Sequence, residues 1–191
     1  LITCHLGNGC SITAIDKGKS VDTSMGFTPL EGLVMGTRCG DTDPALITHI
    51  MRKKKIDTEE MDRILNKESG LKGISGISND MRLLVEKAGA GNRRAKLALD
   101  IFVYRIRKYI GAYVSVLCDL DALIFTAGIG ENQAGIRDNI CRGLFNYLRK
   151  RPKIMVIPTN EELMIARQTF KLINTPAYVC MNMNMDRFCS S

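Results

Sequence analysis

The chain has 191 residues, 45% of them hydrophobic and 25% charged, and a formal net charge of +7. This length suits one domain, or one domain with a small appendage, able to bury about 70% of the unfolded chain's surface. The composition excludes a disordered chain, no run approaches the roughly 18 apolar residues of a membrane span, and nothing resembles a signal peptide. The basic residues fall in short clusters, Arg52-Lys53-Lys54-Lys55, Arg93-Arg94, Arg107-Lys108 and Arg149-Lys150-Arg151. They read either as solvated helix ends and loops or as an attraction for a polyanion, for which a nucleotide suffices. Trp is absent and no aromatic platform interleaves the charges, so nucleic acid is not an expected partner. The seven cysteines are scattered and form no Cys-x-x-Cys pair. That argues against a zinc site or disulfide scaffold and for a reducing, cytoplasmic setting without a membrane.

In chain order, strands are predicted near 1–5, 10–15 and 20–23, with Asp16-Lys17-Gly18-Lys19 as a hairpin turn. Residues 24–40 hold four glycines and Pro29, too many for a plain connector, and read as a functional loop. Asp43-Pro44 has the form of an N-cap followed by Pro at the first helical position, predicting a helix over 45–53. Asp57-Thr58-Glu59-Glu60 opens another, with acidic residues in its first turn. Residues 66–78, with Gly70, Gly73 and Gly76, read as a loop. A short helix follows over 78–87. A long amphipathic one is predicted over 92–118, where apolar residues from Ala95 to Leu117 recur at three- and four-residue spacing. A buried strand is expected at 121–126, a helix at about 131–148, a strand at 153–157 and a last helix from 158–160 to 170. The tail with the Met-Asn-Met-Asn-Met run has no usable period and is a candidate for disorder. The order describes an α/β domain with a mixed sheet, an antiparallel meander followed by parallel strands with crossover helices.

Three glycine-rich segments stand where such a sheet binds ligands. Phe125-Thr126-Ala127-Gly128-Ile129-Gly130-Glu131-Asn132 passes from a buried strand directly into a helix, whose free N–H groups and dipole suit a phosphate. The plain alternative is a tight strand–helix turn. His5-Leu6-Gly7-Asn8-Gly9 caps a hairpin. Asn8 there tolerates a left-handed backbone, and its amide, like His5, can donate to a phosphate oxygen. The alternative for His5 is a hydrogen-bonded histidine at a strand end. In Met35-Gly36-Thr37-Arg38-Cys39-Gly40-Asp41, an arginine between glycines offers a planar fork for a phosphoryl group or carboxylate; otherwise it is one half of an Arg–Asp pair. Asn79-Asp80-Met81-Arg82 and Asn160-Glu161-Glu162, at helix starts, are weaker candidates by themselves.

These segments, with Asp22 through Asp41, Lys67-Glu68-Ser69-Gly70-Leu71 and Ile157-Pro158-Thr159-Asn160-Glu161-Glu162-Leu163, closely resemble the acetate kinase (acetokinase) family, in order, from Leu1 to about Leu172. The resemblance implies the family's C-terminal nucleotide-binding half over residues 1–175, with 176–191 an atypical tail. The implied fold is the α/β, actin-like/ribonuclease H-like ATPase domain of the acetate and sugar kinase/Hsp70/actin superfamily, a mixed sheet with flanking helices. It further implies reversible phosphoryl transfer between ATP and a short-chain carboxylate, acetate to acetyl phosphate, with Mg²⁺, in a homodimer. Carried over by motif, His5, Leu6, Gly7, Asn8 and Gly9 would line the ATP phosphates. Asp80, Met81 and Arg82 would hold the adenosine side, and Gly128, Ile129, Gly130, Glu131 and Asn132 the other nucleotide wall. Arg38 would stabilise the transition state, and Glu161 would help place the magnesium through water. The family's N-terminal half, with a metal-site asparagine, a substrate arginine, a catalytic aspartate and a transition-state histidine, does not match this sequence, so the chain alone is expected to have little or no activity. Two other readings stay open: an inactive ATP-binding remnant, and a non-catalytic actin-like nucleotide-binding module, against which the Arg38 loop argues. The segment 148–153 is shorter than the family usually has, and the tail after Thr175 departs from it.

Overall fold

The structure, a computed structural model, describes residues 1–174. The tail at 176–191, expected from the sequence to be disordered, lies outside the described residues. The chain divides into two units, Leu1–Pro158 and Thr159–Ser191.

The first unit is built on a five-stranded sheet of order β3-β2-β1-β4-β5. Strands β1 (Ile2–Leu6), β2 (Cys10–Asp16) and β3 (Lys19–Thr23) form an antiparallel meander. Strands β4 (Ala122–Thr126) and β5 (Lys153–Val156) add in parallel on the other side of β1. The mixed sheet is thus the one the sequence implies. Register fixes which face is buried: Ile2 lies opposite Ala14 and Leu123, Cys4 opposite Ile12 and Phe125, and Leu6 opposite Cys10. All eight side chains are fully buried, while Thr3, His5, Ser11 and Thr13 on the other face are half-exposed. The period-two alternation of the strands thereby becomes one apolar wall.

Helix α5 (Arg93–Leu117) covers that wall through Phe102, Ile106 and Ile110, packing against β2. Its start is set by Asn92, whose side chain accepts from the Ala95 amide at 2.9 Å, and its end by Cys118, a left-handed residue at φ 61°. Its apolar face packs inside the chain, on α3 (Gly70–Ser75), α4 (Met81–Gly89) and α7 (Ala134–Cys141) as well as β2. That face is therefore occupied by the chain's own core, and Leu97, Tyr104 and Val116 are the large apolar residues that α5 turns outward. Helices α1 (Pro44–Lys54) and α2 (Thr58–Arg63) begin at the predicted caps, Asp43 accepting from Ala45 and Asp57 from Glu60.

Three predicted elements change. Residues 66–78 are not a loop: a π-helical stretch, Ile64–Glu68, runs into α3. Helix α4 starts at Met81, later than the predicted 78, because Asp80 is the residue that caps it. The single helix expected over 131–148 is instead α6 (Ala127–Asn132), a break at Gln133, and α7, which stops at Cys141. In the second unit, α8 (Glu161–Asn174) is capped by Asn160, whose side chain accepts from the Leu163 amide at 3.1 Å.

Candidate functional site

Strands β1 and β4 are parallel and pair His5 with Thr126, so the turns that follow them leave the sheet side by side. Their carboxyl ends are where an α/β sheet receives ligands. A cavity of about 480 Å³ opens there, lined by Gly7 and Asn8, by Asn79, Asp80, Met81 and Arg82, and by Gly128, Ile129, Asn132 and Gln133. The volume lies in the usual range for small-molecule sites. Three segments far apart in sequence are thus brought to one concave surface.

The β1–β2 turn is held from below. Gly7 donates its amide to the Gly9 carbonyl at 3.0 Å, and the Cys10 thiol donates to the Gly7 carbonyl at 3.2 Å. Burial pushes that thiol up to about 12, so it stays a donor at neutral pH. Gly7, Asn8 and Gly9 all have negative φ, so the left-handed backbone anticipated at Asn8 is not used. The glycines serve close approach instead. A Cβ on Gly7 would stand 3.3 Å from the Gly9 carbonyl, and one on Gly9 3.5 Å from Nη1 of Arg38. Asn8 is the node of the site. Its carbonyl accepts from the Gly36 amide at 2.9 Å, and its side-chain oxygen accepts from Nδ2 of Asn79 at 2.8 Å. That oxygen occupies the space a Cβ on Gly36 would need.

The opposite wall begins at Ala127, left-handed at φ 65° although it is not glycine. A Cβ on Gly128 would meet nothing within 4 Å, so backbone faces the cavity directly. Helix α6 has only six residues, so its contribution is exposed backbone more than a helix dipole. It is braced by Arg137, which donates Nη1 to the Gly130 and Glu131 carbonyls at 2.9 and 2.8 Å. At the third wall, the Arg82 guanidinium, hydrogen-bonded to Asp80 at 2.9 Å, holds that carboxyl below the usual carboxylate range.

Arg38 does not line the cavity; it stands on the Gly9 side of the same turn. Its Nη1 donates to the Pro29 carbonyl at 3.1 Å and lies 3.5 Å from the Met35 sulfur. Among the described residues it makes no ion pair, and Asp41, the partner the alternative reading offered, pairs with Arg105. The guanidinium is therefore charged, half-buried and held by neutral groups, which suits a later anionic guest.

Of the residues singled out in the sequence, nine line the cavity: Gly7, Asn8, Asn79, Asp80, Met81, Arg82, Gly128, Ile129 and Asn132. Leu6 is fully buried in the core, and Gly130 is buried where a Cβ would make ordinary contact with Phe125 and the Cys4 carbonyl. His5 is half-buried in β1, and Glu131 contributes its carbonyl to Arg137. Glu161 is exposed at the first turn of α8, in the second unit. Gln133 was not anticipated; its only sequence signal is its place directly after Asn132. Among the described residues no group of three or more His, Cys, Asp or Glu gathers to cage a metal.

The chain is 54% identical to acetate kinase from Halothermothrix orenii, an alignment covering 92% of this chain and 49% of that protein. Its structure is similar to acetate kinase from Porphyromonas gingivalis, with a TM-score of 0.83, 39% identity and coverage of 91% and 49%. It is equally similar to a propionate kinase from Francisella tularensis, with a TM-score of 0.82, 48% identity and coverage of 86% and 47%. The chain spans about half the length of the curated relatives it matches. The five-stranded mixed sheet with flanking helices is thus that of the acetate and sugar kinase/Hsp70/actin superfamily. The sequence pattern of the Acetokinase family matches residues 1–148, which take in the turns, the Arg38 loop and the whole lining of the cavity, and the chain belongs to that family.

Proposed function

We propose that the chain supplies the nucleotide wall and a transition-state arginine for reversible phosphoryl transfer between ATP and a short-chain carboxylate. The observation that carries this reading is the convergence of Gly7–Asn8, Asn79–Arg82 and Gly128–Gln133 on one cavity, with Arg38 against the other side of the Gly7–Gly9 turn. Backbone at Gly7 and Gly128 can approach phosphates with no side chain between, while Asp80, Met81 and Arg82 would take the adenosine side. In the transfer, a carboxylate oxygen bonds to the γ-phosphorus as the bond to the β–γ bridging oxygen breaks and ADP leaves. Charge spreads over the equatorial oxygens, and the Arg38 donors would answer it. Mg²⁺, when bound, would neutralise phosphate charge, with Glu161 assigned to it through water by family resemblance. Acetate, propionate and butyrate differ by one or two methylenes, worth about 1–3 kcal/mol each in a pocket. The relatives' printed names support the first two as substrates. A homodimer in the cytoplasm completes the proposal; the five free cysteines among the described residues agree with a reducing compartment.

Calorimetric titration of the chain with ATP and with adenosine tests the nucleotide reading. Binding of both, tighter for ATP, is expected; absence of binding at millimolar nucleotide overturns it. A hydroxamate assay with acetate, ATP and Mg²⁺ then tests transfer. Because the chain spans about half the length of its relatives, its own turnover is expected to lie well below theirs.

A further inference from the structure

The Arg38 loop is irregular in backbone, yet it is closed and tethered on both sides. Its ends meet at Gly32 and Asp41. The Asp41 amide donates to the Gly32 carbonyl at 2.9 Å, and the Gly32 amide donates to Oδ1 of Asp41 at 2.8 Å. Closing the ring needs left-handed backbone at Gly32 (φ 107°) and Gly40 (φ 70°), where a Cβ would run into the Ser24 and Leu33 carbonyls. The second carboxylate oxygen, Oδ2, accepts from Tyr109 Oη at 2.8 Å and from Nη2 of Arg105. Both partners are on α5, the helix that carries the core. One carboxylate therefore ties the loop to itself and to the most deeply packed helix of the domain. Arg38 follows a turn inside this ring, in which the Met35 amide donates to the Arg38 carbonyl at 3.2 Å.

We propose that Asp41 is a positioning residue for Arg38, latching loop 32–41 to α5 so that the guanidinium is placed beside the Gly7–Gly9 turn before any ligand arrives. The proposal rests on the reading of Arg38 as the group that answers the transferring phosphoryl. Without the latch the loop would keep its sequence and its arginine but sample many placements, and binding would first have to order it. Neutralising Asp41 removes the ion pair to Arg105 while keeping a side chain that can still accept from Gly32. Removing the Tyr109 hydroxyl deletes one bond and leaves its ring in place.

The test uses the 191-residue chain with Asp41→Asn, Tyr109→Phe, Arg38→Ala and the Asp41→Asn/Arg38→Ala pair. Two readouts are taken: dissociation constants for ATP and for AMP, and amide hydrogen exchange across 32–41 with α5 and β1 as internal references. Asp41→Asn is expected to weaken ATP about fivefold to tenfold while changing AMP less than about twofold, and to add nothing once Arg38 is alanine. Exchange at the Cys39 and Asp41 amides should quicken about tenfold with the references unmoved, and Tyr109→Phe should move both readouts the same way by less. Equal ATP loss from Asp41→Asn with and without Arg38, or unchanged loop exchange in both latch variants, overturns the proposal. Faster loop exchange with an Arg38→Ala chain that binds ATP and AMP like the parent would leave the latch standing and reject the role given to Arg38. If Asp41→Asn does not fold, Tyr109→Phe carries the same comparison.

Discussion

Ala127 holds a conformation its chemistry disfavours. At φ 65° a Cβ crowds the following carbonyl, at a cost of roughly 1–2 kcal/mol, and such strain persists only where surrounding structure over-determines it. Here the surroundings are the end of β4, the start of α6 and Gly7, whose missing Cβ would have stood 3.7 Å from the Ala127 methyl. Replacing Ala127 with glycine removes the crowding but frees the unfolded chain, an opposing effect of about 0.4–1 kcal/mol. Ala127→Gly is therefore expected to be as stable as the parent or up to about 1 kcal/mol more so in urea unfolding, against the usual cost of a glycine near a helix. A loss beyond about 1 kcal/mol would show that the methyl's packing outweighs the strain. This position was invisible in the sequence, because alanine carries no signal for left-handed backbone. Asn8 carried that signal and did not use it. The residue types of the site were legible in the glycines, in Asn8 and in Arg38, whereas the hydrogen bond from Asn79 to Asn8 joins groups 71 residues apart and has no local signature.

Elements with strong caps and a long period could be read closely, and α5 is the example: Asn92 at one end, Cys118 at the other and an apolar stripe between. The segment 66–78 misled because glycine has two meanings. Gly76 is the left-handed C-cap of α3, its amide donating to the Lys72 carbonyl. Gly70, at φ 59°, lets α3 begin against the Arg38 loop, where a Cβ would overlap the Met35 carbonyl and crowd that of Arg38. In return the Leu71 and Lys72 amides donate to the Met35 and Gly36 carbonyls at 2.8 and 3.0 Å, and the Ser69 amide to that of Thr37 at 3.0 Å. These bonds satisfy both the helix start and the loop, and tertiary partners of this kind override local propensity. The two glycines separate by experiment. Gly76→Ala, with open space around the new methyl, should cost about 1 kcal/mol from backbone conformation alone. Gly70→Ala should cost at least about 2 kcal/mol, because backbone must move as well. Equal losses in urea unfolding would mean that the loop, not α3, yields to the added carbon.

At the scale of the molecule, topology followed from the order of strand and helix patterns, since an antiparallel meander and later parallel strands leave few ways to close one sheet. The break at Gln133 was not legible, because the apolar spacing of Ile129, Ile136 and Ile140 runs on across it, while Arg137, reaching back to the Gly130 and Glu131 carbonyls, braces the end of α6 from outside the local pattern. The same packed wall sets how the protein answers to alkali. Cys4 and Cys10 are fully buried on adjacent strands, and burial raises both thiols, Cys10 to about 12. Burial likewise raises Cys39 and Cys141, and raises Tyr109 and Tyr113 with help from Asp41 and Asp22. In the unfolded chain a thiol releases its proton near 8.5. Below that pH both states keep the proton and the contribution to stability is complete. Between about 8.5 and 12 the unfolded state holds fewer protons than the folded one, so stability falls as pH rises, by at most about 1.4 kcal/mol per pH unit for each such group. Urea midpoints should therefore hold from pH 7 to 8 and decline steadily above 9. Cys10→Ala separates this effect from the other alkaline titrations. It should be less stable than the parent at pH 7, through the cavity it leaves and the lost bond to Gly7. The gap should then narrow as pH rises to 11, because the variant has no thiol there to keep protonated. A gap that stays constant with pH would mean that Cys10 ionises alike in both states, and that the sheet face beneath the Gly7–Gly9 turn admits water.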